Sequence, residues 1–173
     1  MLGIFLILPI FSIYASELSG RPTEFQIGLA FGIYGLTQAI LQIPFGMTSD
    51  RLGRKPVIYF GLLLFIIGSF IAGVSEQIEG VIIGRAIQGS GAISAVLTAF
   101  LSDLTSEKSR TKGMAIIGAS IGLTFALSLV ISPILNELIG VSGIFLLMGI
   151  LAFIALGVVR FFIDEPLDNK KIN

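Results

Sequence analysis

Polarity along this chain changes on the scale of whole helices. Long apolar runs, each closed by a short polar connector, fall at roughly Leu2–Tyr14, Phe25–Met47, Val57–Val74, Gly80–Leu101, Gly113–Leu135 and Gly143–Ile163. A spanning helix needs about 20 mostly apolar residues, so the pattern predicts an all-α membrane protein, a bundle of six transmembrane helices. The first run is short for a full crossing. No basic segment precedes it, and Tyr14-Ala15-Ser16-Glu17 follows it. It reads as a first span rather than a cleaved leader, with Met1 not expected to be the original start of the domain.

The connectors alternate in charge. Asp50–Lys55 carries Arg51, Arg54 and Lys55; Ser102–Lys112 carries Lys108, Arg110 and Lys112; the tail adds Arg160, Lys170 and Lys171. On the other side, Ser16–Glu24 holds only Arg21, while Ser75–Glu79 and Asn136–Ser142 hold no Lys or Arg. The positive-inside bias places the rich side in the cytoplasm. An even number of spans then returns both termini there, in the plasma or inner membrane.

Composition narrows the chemistry. Charged residues make up 13% and hydrophobic residues 54% of the 173 positions, against about 25% charged in a soluble domain. Cysteine, histidine and tryptophan are absent. Disulfides, thiolate or histidine metal sites and histidine-based catalysis therefore cannot be assembled. No catalytic residue, metal site or cofactor is expected. The formal net charge is zero, which gives no electrostatic reason to expect nucleic acid.

Small residues punctuate the spans: Gly28, Gly32 and Gly35 in the second, Gly84, Gly89 and Gly91 in the fourth, Gly118 and Gly122 in the fifth. Glycine lets two helix backbones approach closely, so a tight bundle is expected. Tyr34, Gln38 and Gln42 recur at four-residue spacing, one face of a helix. Polar groups in hydrocarbon need partners, so the stripe either lines a central cavity or supplies hydrogen bonds between helices.

Two features carry more specific chemistry. The connector Gly46-Met47-Thr48-Ser49-Asp50-Arg51-Leu52-Gly53-Arg54-Lys55-Pro56 combines a carboxylate, three cations and a glycine free to take positive φ. Pro56 suits the first position of the third helix. Arg85, in Gly84-Arg85-Ala86-Ile87-Gln88-Gly89-Ser90-Gly91, is the one charged residue placed within a span away from the basic end. An intramembrane arginine costs at least about 2.5–3.5 kcal/mol on insertion scales. It must be paired, face a wet cavity or snorkel outward.

Gly-x-x-x-Asp-Arg-x-Gly-Arg-Lys, filled at every fixed position by Gly46 to Lys55, resembles the loop between helices two and three of the major facilitator superfamily. Arg-x-x-Gln-Gly-x-Gly-Ala resembles the helix-four motif of its proton-coupled members. Ile33-Tyr34-Gly35-Leu36-Thr37-Gln38-Ala39 and Ser102-Asp103-Leu104-Thr105 extend the likeness along the chain. The resemblance implies the first six-helix half of the twelve-helix fold, over residues 1–165, with 166–173 a cytoplasmic tail or linker. It implies a conformational latch in which Asp50 is the latch carboxylate, Arg51 and Arg54 are network cations, and Asp103 partners Arg54. It implies a role in proton coupling for Arg85 and Gln88. Arginine does not release a proton in the working range, so an acid elsewhere would be needed: Glu17, the substrate, or a further part of the protein.

Two departures stand beside the likeness. Antiporter members carry Gly-x-x-x-Gly-Pro-x-x-Gly-Gly in helix five, whereas Gly118 and Gly122 are followed here by Leu123-Thr124. Helix one has Leu8-Pro9 without an acidic residue before it. The function implied is proton-coupled efflux of a small, lipophilic or amphiphilic solute, drug/proton antiporter-like, with the bilayer, protons and a C-terminal six-helix half as partners. The alternative is a non-transporting membrane binding or assembly module, or an inactive transporter fragment. A membrane-embedded enzyme is disfavoured by the missing histidine, cysteine and buried carboxylates.

Overall fold

The computed structural model describes residues 2–11, 14–15, 18–91 and 93–163. Glu17 and the segment 166–173, with Lys170 and Lys171, lie outside the described residues. The described chain is almost wholly helical: α1 (Leu2–Ile7), α2 (Glu24–Leu52), α3 (Arg54–Val74), α4 (Ile78–Ser90), α5 (Ser94–Leu104) and α6 (Glu107–Phe162).

Among the described residues, four stretches are long and apolar enough to cross a membrane: Glu24–Leu52, Arg54–Val74, Ile78–Leu104 and Lys108–Phe162. The last holds 55 residues, about 80 Å of helix against a hydrocarbon core of about 30 Å. Gly140 divides it into two passes: its φ of 65° and ψ of 174° fall in a region open essentially only to glycine. The chain reverses there between an arm over 107–139 and an arm over 141–162. The fourth pass is also divided, into α4 and α5, with non-helical backbone at Gly91 (φ −75°, ψ 44°).

Side-chain pairings fix how the passes run. α2 and the α4–α5 pass are parallel: Gln26 donates to Glu79 at 3.2 Å near one end, and Gln38 donates to Ser94 at 3.1 Å further along. α3 runs antiparallel to the second arm of α6, with Phe70 against Gly149 and the Tyr59 hydroxyl donating to the Val159 carbonyl at 3.4 Å. α1 lies along the first arm: Phe5 meets Phe125 edge-on at 5.1 Å, and the Ser132 hydroxyl donates to the Leu6 carbonyl; past α1, Tyr14 pairs with Ser142 at the start of the second arm, hydroxyl to hydroxyl, at 3.1 Å. Passes therefore alternate in direction. One end of the bundle collects Arg51, Arg54, Lys55, Lys108, Arg110, Lys112 and Arg160; the other carries Glu24, Glu76, Glu79 and Glu137 with Arg21.

The connectors are tighter than hydropathy alone indicates. The Asp50–Lys55 connector reduces to Gly53, between α2 and α3. The expected Asn136–Ser142 loop is helical on both sides of Gly140. Hydropathy marks where the bilayer ends, while backbone hydrogen bonding continues past it. Pro56 accordingly sits in the first turn of α3, third from its start rather than first; a first-turn N–H has no intrahelical acceptor, so the ring is tolerated. α2 starts with a capping box between Thr23 and Gln26, which satisfies two otherwise orphaned amides.

Two apolar clusters fill the interior. One, toward the acidic end, joins Phe11, Ala30, Ala72, Val81, Ile144 and Phe145; the other, toward the basic end, joins Ile58, Leu62, Ile66, Val96, Phe100 and Val159. Lipid is as apolar as these side chains, so close fit rather than the hydrophobic effect holds the passes together. The fit is closest where α3 crosses α4. A Cβ added at Gly68 would overlap the Gln88 backbone, and one at Gly84 would lie 2.6 Å from the Ala72 nitrogen. Gly89 rests in the same way on Tyr34 and Thr37 of α2, and Gly91 on Gly61 of α3. By contrast, beyond its chain neighbours and its own helix backbone, a Cβ built at Gly28, Gly32, Gly35, Gly118 or Gly122 would meet no described atom within 4 Å.

Candidate functional site

At the basic end a single arginine joins three helices. Gly53, with φ 95° and ψ 159°, ends α2 and lets α3 start at once, so Arg54 projects back toward the last turn of α2. Its Nη1 meets Asp50 Oδ1 at 2.5 Å and Ser49 Oγ at 2.7 Å, and its Nε donates to Asp103 Oδ2 at 2.9 Å, on the last turn of α5. Ser49 is buried and donates its own proton to the Gly46 carbonyl at 2.7 Å. The planar, fixed fork of arginine suits this divided task, which a lysine ammonium could not reproduce. The carboxylates remain open to solvent, with side-chain exposures of 63% for Asp50 and 42% for Asp103. Arg51 is exposed and makes no ion pair among the described residues.

Deeper in the bundle lies the second arginine. α4 begins at Ile78, which puts Arg85 about 10 Å along the helix. Its exposure is 0%, so it does not snorkel. It points inward to α2: Nε donates to the Ala30 carbonyl at 3.3 Å, Nη2 to the Phe31 carbonyl at 3.5 Å, and the guanidinium lies 4.7 Å from the centre of the Tyr34 ring. Nη1 donates to Gln88 Oε1 at 3.2 Å, one turn along α4. Gln88 in turn donates through Nε2 to Ser69 Oγ of α3 at 2.8 Å. All of these acceptors are neutral, in contrast to Arg54, which meets two carboxylates.

The polar stripe of α2 divides among these features. Tyr34 lies beneath Arg85, Gln38 ties α2 to Ser94 of α5, and Gln42 lines an open groove of about 440 Å³ with Ser94, Ala95, Thr98, Ala99 and Ser102. Tyr34 and Gln38 thus make contacts between helices, and Gln42 faces a groove. The hydroxyls of Ser94, Thr98 and Ser102 escape a reading of the sequence because α5 was expected as a plain continuation of the fourth span. Their four-residue spacing was the signal that could have found them. Ser49 and Ser69 gave no comparable signal, since a single serine in an apolar helix more often bonds its own backbone. Gly118 and Gly122 lie apart from all of these, on the first arm of α6.

Comparison with known proteins agrees over the full length. The sequence profile of the Major Facilitator Superfamily matches residues 1–173. The inner membrane transport protein YajR of Escherichia coli K12 is 54% identical over 152 residues, covering 88% of this chain and 33% of that protein. An uncharacterized transporter of Buchnera aphidicola subsp. Schizaphis graminum is 49% identical over 177 residues, covering 100% of this chain and 45% of that protein. The multidrug resistance protein MdtL of Shewanella sp. ANA-3 is 30% identical, over 83% of this chain and 37% of that protein. The chain thus spans less than half the length of these relatives. Helices of membrane-spanning length, the filled loop pattern around Arg54 and a profile match from end to end lead to one conclusion: the chain is a multi-pass membrane protein that belongs to the Major Facilitator Superfamily.

Proposed function

We propose that this chain is the N-terminal half of a proton-coupled exporter of small molecules, working by alternating access with a second six-helix half. The observation that carries the reading is Arg85: a fully buried cation, between three helices, with only neutral acceptors around it. A buried charge this far from water is expensive, and in membrane proteins such residues mark ion or proton pathways. Arg85 holds its own proton and acts by biasing an acid or a water chain on the substrate path. Gln88 positions it.

The loop arginine supports the same reading. Arg54 joins α2, α3 and α5 through exposed carboxylates that remain open to a further partner. We assign it, with Gly46, Asp50, Arg51, Gly53 and Asp103, to a latch on the cytoplasmic side, the side indicated by the positive charge. Gln42 and the α5 hydroxyls would form one wall of the substrate cavity, with the second half closing it. Tyr34 and Gln38 brace that wall. The preference for efflux rests on relatives such as the multidrug resistance protein MdtL, and that for a lipophilic solute on apolar spans carrying amide and tyrosine groups; it is the finest part of the proposal.

The test is co-expression of the chain with a matching second half, followed by flux measurement in everted vesicles across an imposed proton gradient. Gradient-dependent flux that Arg85→Ala abolishes is the expected result. A stably inserted pair with no flux for a panel of lipophilic cations and neutral amphiphiles would instead establish a non-transporting assembly module.

A further inference from the structure

We propose that Ser69 is a positioning residue for Arg85, acting through Gln88; its consequence for transport rests on the reading above. The argument is one of proton direction. A guanidinium only donates, so the Gln88 atom facing Arg85 at 3.2 Å must be Oε1. That turns Nε2, which also only donates, toward Ser69 Oγ at 2.8 Å. Ser69 must therefore accept, and its one proton goes elsewhere: to the Phe65 carbonyl, one turn back on α3, at 2.7 Å. The chain from Arg85 through Gln88 and Ser69 to Phe65 has one polarity.

Geometry holds it in place. Ser69 and Gln88 are 0% and 1% exposed, so no solvent replaces a lost partner. The glycine crossing at Gly68 and Gly84 brings α3 and α4 to backbone contact, within reach of a side chain as short as serine. Arg85 has direct bonds to α2, and this relay is its hydrogen-bonded link to α3. The same arrangement recurs at Arg54, which donates to the buried Ser49, itself donating to Gly46. In Ser69→Ala the Gln88 amide loses its acceptor, Oε1 is no longer held toward Arg85, and the guanidinium settles differently between the helices.

The test uses the full chain with ¹⁵N-arginine in detergent micelles. The Arg85 Nε–H resonance is identified by its absence in Arg85→Lys. Ser69→Ala should shift it and speed its exchange with solvent about tenfold, the scale of one lost buried hydrogen bond. Ser69→Thr, which keeps the hydroxyl, should restore both. Gln88→Ala cuts the relay from the other side, should match Ser69→Ala, and serves where that variant does not fold. A wild-type resonance and exchange rate in Ser69→Ala or Gln88→Ala would overturn the proposal, as would failure of Ser69→Thr to restore them. With the second half present, Ser69→Ala should also displace the pH profile of transport while Ser69→Thr keeps it. A wild-type pair without flux would sink the proposed function and leave the resonance test standing.

Discussion

Arg54 Nε and Asp103 Oδ2 stand 2.9 Å apart although 49 positions separate them in the chain, and the bond ties the start of α3 to the end of α5. Asp50 meets the same guanidinium from four residues before it, across Gly53. Both carboxylates are substantially exposed, and exposed pairs contribute only about 0–1 kcal/mol. This network is therefore better suited to setting a conformational equilibrium than to holding the bundle together.

Asp50→Asn and Asp103→Asn should accordingly leave insertion and thermal stability almost unchanged, within about 1 kcal/mol each. In a complete transporter they should change the balance between access states. Labelling of single cysteines introduced at either end, in a chain that has none of its own, reads that balance. A mutant that fails to insert would remove the gating role assigned to the pair.

Gly53 and Gly140 take φ values of 95° and 65° with ψ near the extended limit. That region is essentially reserved for glycine, and other residues held there cost about 1–3 kcal/mol. Gly53→Ala and Gly140→Ala should each lose about this much in thermal unfolding. Alanine at Gly118, which is helical and meets no described neighbour, should be neutral or slightly stabilising in the isolated chain, by up to about 1 kcal/mol.

Adding bulk where α3 and α4 touch should be costly. Gly68→Val and Gly84→Val would drive side-chain atoms into the facing backbone, and overpacking of this kind typically costs about 1–3 kcal/mol or more. Loss of the folded bundle in detergent, read by circular dichroism and size-exclusion chromatography, is the expected outcome. Wild-type behaviour would mean that the close crossing is absent from the protein in micelles.

Arg85→Ala should abolish gradient-driven flux in the assembled pair while the bundle still inserts. Arg85→Lys should behave nearly as badly. An ammonium cannot reproduce the planar fork that reaches two carbonyls on α2 and the Gln88 amide together. Retained transport in Arg85→Lys would mean that charge alone, not its geometry, is what the site requires.

The sequence by itself determined the membrane character, the succession of spans and the segregation of basic residues, because hydropathy and charge are summed over twenty or more local positions and need no knowledge of neighbours. It also singled out Arg54, Asp103 and Arg85, since charges at a membrane boundary or within a span are conspicuous against an apolar background. Only the tertiary structure decided which helix each charge addresses. Arg85 turns inward to α2 instead of snorkelling, Ser49 accepts from Arg54 and Ser69 from Gln88, and Gly68 and Gly84 make α3 and α4 touch. Those outcomes depend on the crossing of helices distant in sequence. A lone serine or glycine in an apolar run carries no mark of what will lie opposite it once the passes have packed.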